Sequence, residues 1–274
     1  NAGYVLPLSM AEQLMGGYTI KIVQGGQAAS AGIMAAGLAS KGITGCPEVL
    51  EGSALKGGFT QITSRADPNL DKLSDGLGEH YSIMDIYFKP YSACRHTHGA
   101  AQATLKLIRE HGFGAGEIES ITVHTYGVAE LAVGKGVPDG GSFVSAQFSL
   151  PYVVAACILD GDLGPGQLTE RRIADSAVID LTKRVSVKLD EELNKAYPEK
   201  TSSRVEISLK DGRELAWQTD IPKGDPRDPM EADDLAEKLS RFAGGRKPER
   251  LEKIIGMVME LEKLRDVGEL ASII

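Results

Sequence analysis

The stretch Phe88-Lys89-Pro90-Tyr91-Ser92-Ala93-Cys94-Arg95-His96-Thr97-His98-Gly99-Ala100-Ala101 changes character halfway along. Pro90 disfavours an α conformation at Lys89, because its ring clashes with the residue before it. From Thr97 onward the pattern turns helical: Thr97 can act as N-cap, and Ala101, Leu105 and Ile108 repeat at i, i+4, i+7. A helix is expected from residue 98 to about 110, ended by Gly112. Lys89, Arg95, His96 and His98 therefore crowd around a helix N-terminus, where free N–H groups and the macrodipole favour anions. Gly99 and Ala100 are small enough for a ligand to approach the backbone. A carboxylate or phosphate site is one expectation; a surface loop with ordinary charges is the other.

Outward from this stretch, residues 83–88 look extended. Ile121, Val123 and Thr125 alternate with polar neighbours, as do Val185, Val187 and Leu189, and Val205, Ile207 and Leu209. Asp211-Gly212 is a hairpin signal, and Leu215, Trp217 and Thr219 continue on the return strand. Helices are expected at 128–133, at 173–181, and from a Ser149 N-cap with Pro151 in its first turn to Gly161. This order is not a regular βαβ repeat and predicts an α+β middle. Residues 222–229, with three prolines and a glycine, read as a boundary, and beyond them the pattern is wholly helical.

Before the middle segment, residues 6–9 suggest a loop, 10–15 a short helix, 28–40 a small-residue helix and 47–50 a further short helix. Gly32 and Ala36, four apart, would let another helix approach closely, and Gly42 suits the position just past a helix end. Neither GxxxxGK[ST] nor GxGxxG spacing occurs around Gly25-Gly26, which argues against a nucleotide loop.

The 274 residues suffice for one large or two ordinary domains, and 42% hydrophobic with 25% charged residues is normal for a globular protein. A net charge of −8 argues against a nucleic-acid partner and requires any anion site to gather its cations locally. Cys46, Cys94 and Cys157 form neither a CxxC pair nor an even set, so no disulfide framework or zinc site is expected. A reducing, cytoplasmic location is the expectation that follows. No apolar run reaches the roughly 18–20 residues of a membrane span, and no signal-peptide pattern opens the chain.

Several separate stretches agree with one family. Lys21-x-x-x-Gly-Gly-x-Ala-Ala, Leu50-Glu-Gly, Lys89-Pro-Tyr-x-x-Cys-Arg-His-Thr-His98, Phe148-Ser-Leu-Pro-Tyr152 with Leu159-Asp-Gly161, and Pro222-Lys-Gly-Asp-Pro226 occur in family order. The chain resembles the MmgE/PrpD family, which includes 2-methylcitrate dehydratase, cis-aconitate decarboxylase and iminodisuccinate epimerase. The resemblance implies an all-helical domain with an inserted α+β lid. The corresponding divisions are a helical part at 1–80, a lid at 81–224 and the C-terminal helical part at 225–274. It implies homodimers, a small di- or tricarboxylate substrate, and no metal or organic cofactor. Family members are longer at the N-terminus, so the chain is expected to be the C-terminal portion of one.

The resemblance places Lys21, Lys89, His98 and Tyr152 in the site as catalytic residues. Two ammonium groups can neutralise carboxylates and stabilise the enolate-like charge formed beside them. A crowded lysine can also serve as a base. Histidine titrates near neutrality, which makes His98 an acid or base candidate. Tyr152 could donate a proton or bind a carboxylate. Arg95 could grip a carboxylate bidentately or form a structural ion pair; His96 and Ser149 are further substrate-binding candidates, with helix capping the first role of Ser149. A hydro-lyase acting like 2-methylcitrate dehydratase leads the functional expectations. An epimerase or decarboxylase on the same scaffold, and a non-catalytic fragment or subunit, stand as alternatives.

Overall fold

A computed structural model describes residues 10–64 and 67–274, so the expected loop at 6–9 lies outside the described residues. The described residues are mixed α/β, with many helices and one four-stranded sheet. They group into two compact units. One contains Ile20–Ile86; the other contains Met10–Thr19 and Tyr87–Ile274.

In the first unit, helix α1 (Gln24–Ser40) extends the expected small-residue helix towards its N-terminus and stops before Gly42, whose φ is +85°. Such a conformation costs glycine little because it has no Cβ. From Ala28 to Ser40 every residue of α1 is exposed, and nothing in the described structure approaches Gly32. Residues 47–50 form turns instead of the expected helix, and Ser82–Asp85 is a 3₁₀ turn where an extended run was expected.

The second unit is built on the sheet. Helix α2 (His98–His111) ends at Gly112, with φ +62°, and leads through a short turn to β1 (Ile118–Thr125) and α3 (Gly127–Val133). Helix α4 (Leu150–Asp160) has the expected Ser149 cap, the hydroxyl accepting from the Tyr152 N–H at 3.2 Å. The helix expected over 173–181 is two pieces, Glu170–Ile173 and α5 (Ser176–Thr182). Asp175 breaks it, because its carboxylate accepts from the Ala177 N–H at 2.9 Å and starts a new helix. Strands β2 (Val185–Leu189), β3 (Ser203–Leu209) and β4 (Glu214–Thr219) follow, then helices α6 (Ala232–Phe242) and α7 (Pro248–Met259).

The strand order is β2-β1-β3-β4. β1 runs parallel to β2, with Ile121 opposite Val185, and antiparallel to β3, with Val123 opposite Val205; β3 and β4 form the expected hairpin. Helices α2 and α4 pack together and against the sheet, α2 on β3 and β4 and α4 on β2. The core lies in this layer, where Ile121, Val123, Val205 and Ile207 share one cluster with the residues of α4, buried from Leu150 to Ile158. Fully burying such a side chain stabilises the fold by about 1.5–3 kcal/mol.

The proline-rich segment expected to be a boundary is also a docking partner. Phe88 N–H donates to the Gly224 carbonyl at 2.8 Å, and Lys223 N–H donates to Gln102 Oε1 on α2 at 2.9 Å. Gly224 has φ +90°, and a Cβ there would collide with the Phe88 carbonyl oxygen. Gly224→Ala therefore meets both a left-handed backbone, worth about 1–2 kcal/mol, and a steric clash. A urea-unfolding measurement is expected to show a loss of at least that size.

Candidate functional site

Lys89 is followed by a run of bends, Pro90 to Ala93, that is tied to the segments flanking α4. Ser92 N–H donates to Leu163 O at 3.0 Å, and Cys94 N–H donates to Gln147 O at 2.9 Å. The chain then makes the 3₁₀ turn Arg95–Thr97 and continues as α2. Thr97 stands at the N-cap position, but its hydroxyl donates back to Cys94 O at 2.8 Å and does not cap. Gly99 and Ala100 are buried, and a Cβ on Gly99 would lie 3.1 Å from Ser203 Oγ. The small residues thus bring the helix against β3; they do not open its N-terminus to a ligand.

Arg95 is 6% exposed and faces inward. Its two terminal nitrogens donate to the carbonyls of Lys223 at 2.8 Å and Pro222 at 2.7 Å. Asp225 is 4.0 Å away, and the Tyr87 ring lies 4.5 Å beneath the guanidinium carbon. Of the two roles read for Arg95, this geometry is that of a structural clasp.

His98 has no exposed surface. Its Nε2 lies 3.4 Å from Ala93 O, its ring centroid is 5.2 Å from that of Tyr91, and Nδ1 has no hydrogen-bond partner among the described residues. Burial first, then the Arg95 charge, lowers its pKa to about 3, so the ring is neutral at physiological pH. His96 is half-buried, with Nδ1 2.6 Å from the Tyr126 hydroxyl; burial and Lys89 both lower its pKa.

Lys89 is exposed. Its positive charge bears on His96, on His98 and on Lys238 of α6. Lys238 is half-buried, and burial, Lys89 and Arg241 together lower its pKa. Lys238 and Arg241 lie 5.4 and 5.7 Å from the Phe242 ring centroid, and Arg241 pairs with Asp162. Lys223, 3.4 Å from Asp234, ties the start of α6 to the docking loop. The sequence reading missed Lys238 and Arg241, although two cations three apart on an amphipathic helix share one face.

The remaining candidates are placed elsewhere. Ser149 is 1% exposed and serves as the α4 cap. Tyr152 donates its hydroxyl to Gln167 O, and burial pushes its pKa up to about 12. It lines a cavity of about 630 Å³ with Val137, Phe143, Leu168 and Val178. Lys21 sits half-exposed in the 3₁₀ turn Thr19–Val23 and belongs to the first unit. Among the described residues no group of three or more His, Cys, Asp or Glu could hold a metal ion, and no helix is long and apolar enough to cross a membrane.

The profile of the MmgE/PrpD C-terminal domain matches residues 91–263, and the chain belongs to that family. Among its relatives, cis-aconitate decarboxylase of Aspergillus terreus (strain NIH 2624 / FGSC A1156) is 27% identical over 272 residues, covering 94% of this chain and 55% of that protein. The enzyme of the same name from Mus musculus is 28% identical over 258 residues, covering 91% and 51%. That from Homo sapiens is 27% identical over 259 residues, with the same coverage. The chain spans about half the length of these relatives.

The low pKa of His98 has a consequence for stability. Its unfolded value is near 6.5 and its folded value about 3, so the unfolded chain binds the extra proton between those limits. Its contribution is fully present above pH 6.5 and is lost as the pH falls towards 3. From pH 7 to 4 the loss is on the order of 3 kcal/mol, at about 1.36 kcal/mol per unit. Urea unfolding across this range is expected to give a flatter pH dependence for His98→Asn than for the unaltered chain.

Proposed function

We propose that this chain forms part of a lyase acting on a small polycarboxylate, with decarboxylation as its leading reaction. The observation that carries the proposal is membership of the MmgE/PrpD family, with cis-aconitate decarboxylases among the relatives; the Lys89 charge bears on His96, His98 and Lys238 beside it. The names of the relatives move the expectation from a hydro-lyase to a carboxy-lyase.

Loss of CO2 leaves an electron pair on the carbon that bore the carboxylate. That charge must spread into a neighbouring unsaturated or carboxyl group, and a proton must then reach carbon. Lys89 and Lys238 supply fixed positive charge for the remaining carboxylates and for the developing enolate-like charge. A neutral His98 cannot act as an imidazolium acid, so the proton donor in this proposal is an ammonium group. The lowered pKa of Lys238 makes its proton easier to release than that of an ordinary lysine. Tyr152 enters as a wall of its cavity, since its hydroxyl can meet substrate only by releasing Gln167.

The test is to incubate the complete protein with cis-aconitate, 2-methylcitrate and iminodisuccinate separately, following CO2, alkene formation and racemisation. CO2 from cis-aconitate is expected, and Lys89→Ala should lower kcat/KM by about 10²–10³, as loss of a charge-stabilising donor does elsewhere. Alkene from 2-methylcitrate without CO2 from cis-aconitate would replace the decarboxylase with a dehydratase. Unchanged turnover in Lys89→Ala would remove this lysine from the mechanism.

A further inference from the structure

Tyr126 follows β1 directly and has no exposed surface, yet it has no place in the chemistry above. Its ring stacks on Tyr197, with centroids 4.6 Å apart and planes 13° from parallel. It also meets the His96 ring edge-on, with centroids 5.6 Å apart and planes at 69°. The phenol is thus held between two rings, and its oxygen lies 2.6 Å from His96 Nδ1. A stacked, buried tyrosine is a rigid support, since little rotation is open to it.

Either atom of this pair could carry the bridging proton. If Nδ1–H donated to the phenol, the phenolic proton would need a second acceptor in a place closed to water. The hydrogen bond described for this hydroxyl is the one to His96. The arrangement that satisfies both groups has O–H donating to Nδ1, because a buried donor left unpaired is costly. The phenol holds its proton tightly, since burial pushes its pKa up, and the Lys89 charge disfavours a second proton on His96. An imidazole that accepts at Nδ1 carries its own proton on Nε2. No hydrogen bond among the described residues engages Nε2.

We infer that Tyr126 is a positioning residue: by donating its hydroxyl to His96 Nδ1 it fixes the Nε2–H tautomer, so that His96 presents an N–H donor to a carboxylate oxygen beside Lys89. The carboxylate in this statement rests on the function proposed above; the tautomer does not. The device gives directional binding in a place where an imidazolium would have to compete with neighbouring cations. It also assigns the two histidines different tasks, with His98 packed on Tyr91 and His96 facing the ligand.

The test reads the tautomer directly, by two-bond 1H–15N correlation spectra of the 15N-labelled chain at neutral pH without ligand. His96 is assigned by the signals lost in His96→Gln. The expected result is an unprotonated Nδ1 and a protonated Nε2 in the unaltered chain. In Tyr126→Phe, which keeps the ring and its stacking on Tyr197, the two nitrogens should move towards averaged shifts. A protonated Nδ1 in the unaltered chain would overturn the inference, and this holds even if the variant failed to fold. An unmoved tautomer in a folded Tyr126→Phe would overturn it as well. If the tautomer behaves as expected but the complete protein turns over no polycarboxylate, the positioning role stands and the proposed function falls.

Discussion

The Arg95 clasp is the interaction on which the candidate site depends. One guanidinium joins the turn before α2 to two consecutive carbonyls of the proline-rich segment, with bonds of 2.7 and 2.8 Å. Arginine suits this task because its planar fork donates in two fixed directions, which an ammonium cannot do. The clasp sets the position of Phe88 and hence of Lys89, because Phe88 is bonded to Gly224 of the same segment. It also fixes where α6 begins, since Lys223 reaches Asp234 at 3.4 Å. Loop and helix therefore bring Lys89 and Lys238 within range of one another's charge. A cation that could be mistaken for a ligand-binding group holds the others in place.

Gathering cations in a protein of net charge −8 has a cost. Like charges a few ångströms apart repel, and burial removes the water that would screen them. The groups divide the burden by their chemistry. Arg95 keeps its charge because carbonyls, Asp225 and the Tyr87 ring compensate for burial. His98 gives up its charge altogether, with a pKa near 3, and becomes a neutral packing and hydrogen-bonding group. Lys238 keeps its charge under strain, which is why its pKa is lowered. The unpartnered Nδ1 of His98 is the remaining irregularity, a buried acceptor with nothing opposite it among the described residues.

Much of the second unit was legible in the sequence because its signals are local. Alternation located β1, β2, β3 and β4, and the Asp211-Gly212 turn located the hairpin. Ser149, Gly112 and Gly161 mark helix ends through their own backbone chemistry. The helix expected over 173–181 overlooks Asp175, a residue that prefers to begin a helix. At the site, the same local reading found Lys89, His96 and His98 but assumed that small residues at 99 and 100 leave room for a ligand. They leave room for Ser203 instead, a partner about a hundred residues away that no local pattern reveals. Lys238, Arg241 and Tyr126 were missed for the same reason: their meaning comes from which element packs beside them. The proline-rich segment looked like a boundary because its composition is irregular, while its role as the Arg95 acceptor depends on two backbone carbonyls, which sequence does not mark.

In the proposed function Lys89 and Lys238 face one anion-binding site prepared by this framework. Reductive methylation with 13C-formaldehyde places an NMR probe on each lysine while keeping its charge. Titration of the complete protein with tricarballylate, a stable saturated tricarboxylate, should shift the Lys89 and Lys238 signals along one shared saturating curve. Exposed lysines already paired with a neighbouring acid, such as Lys183 with Asp180 and Lys263 with Glu260, should stay in place. Small, parallel, non-saturating shifts of every lysine would reflect ionic strength alone and would contradict the account.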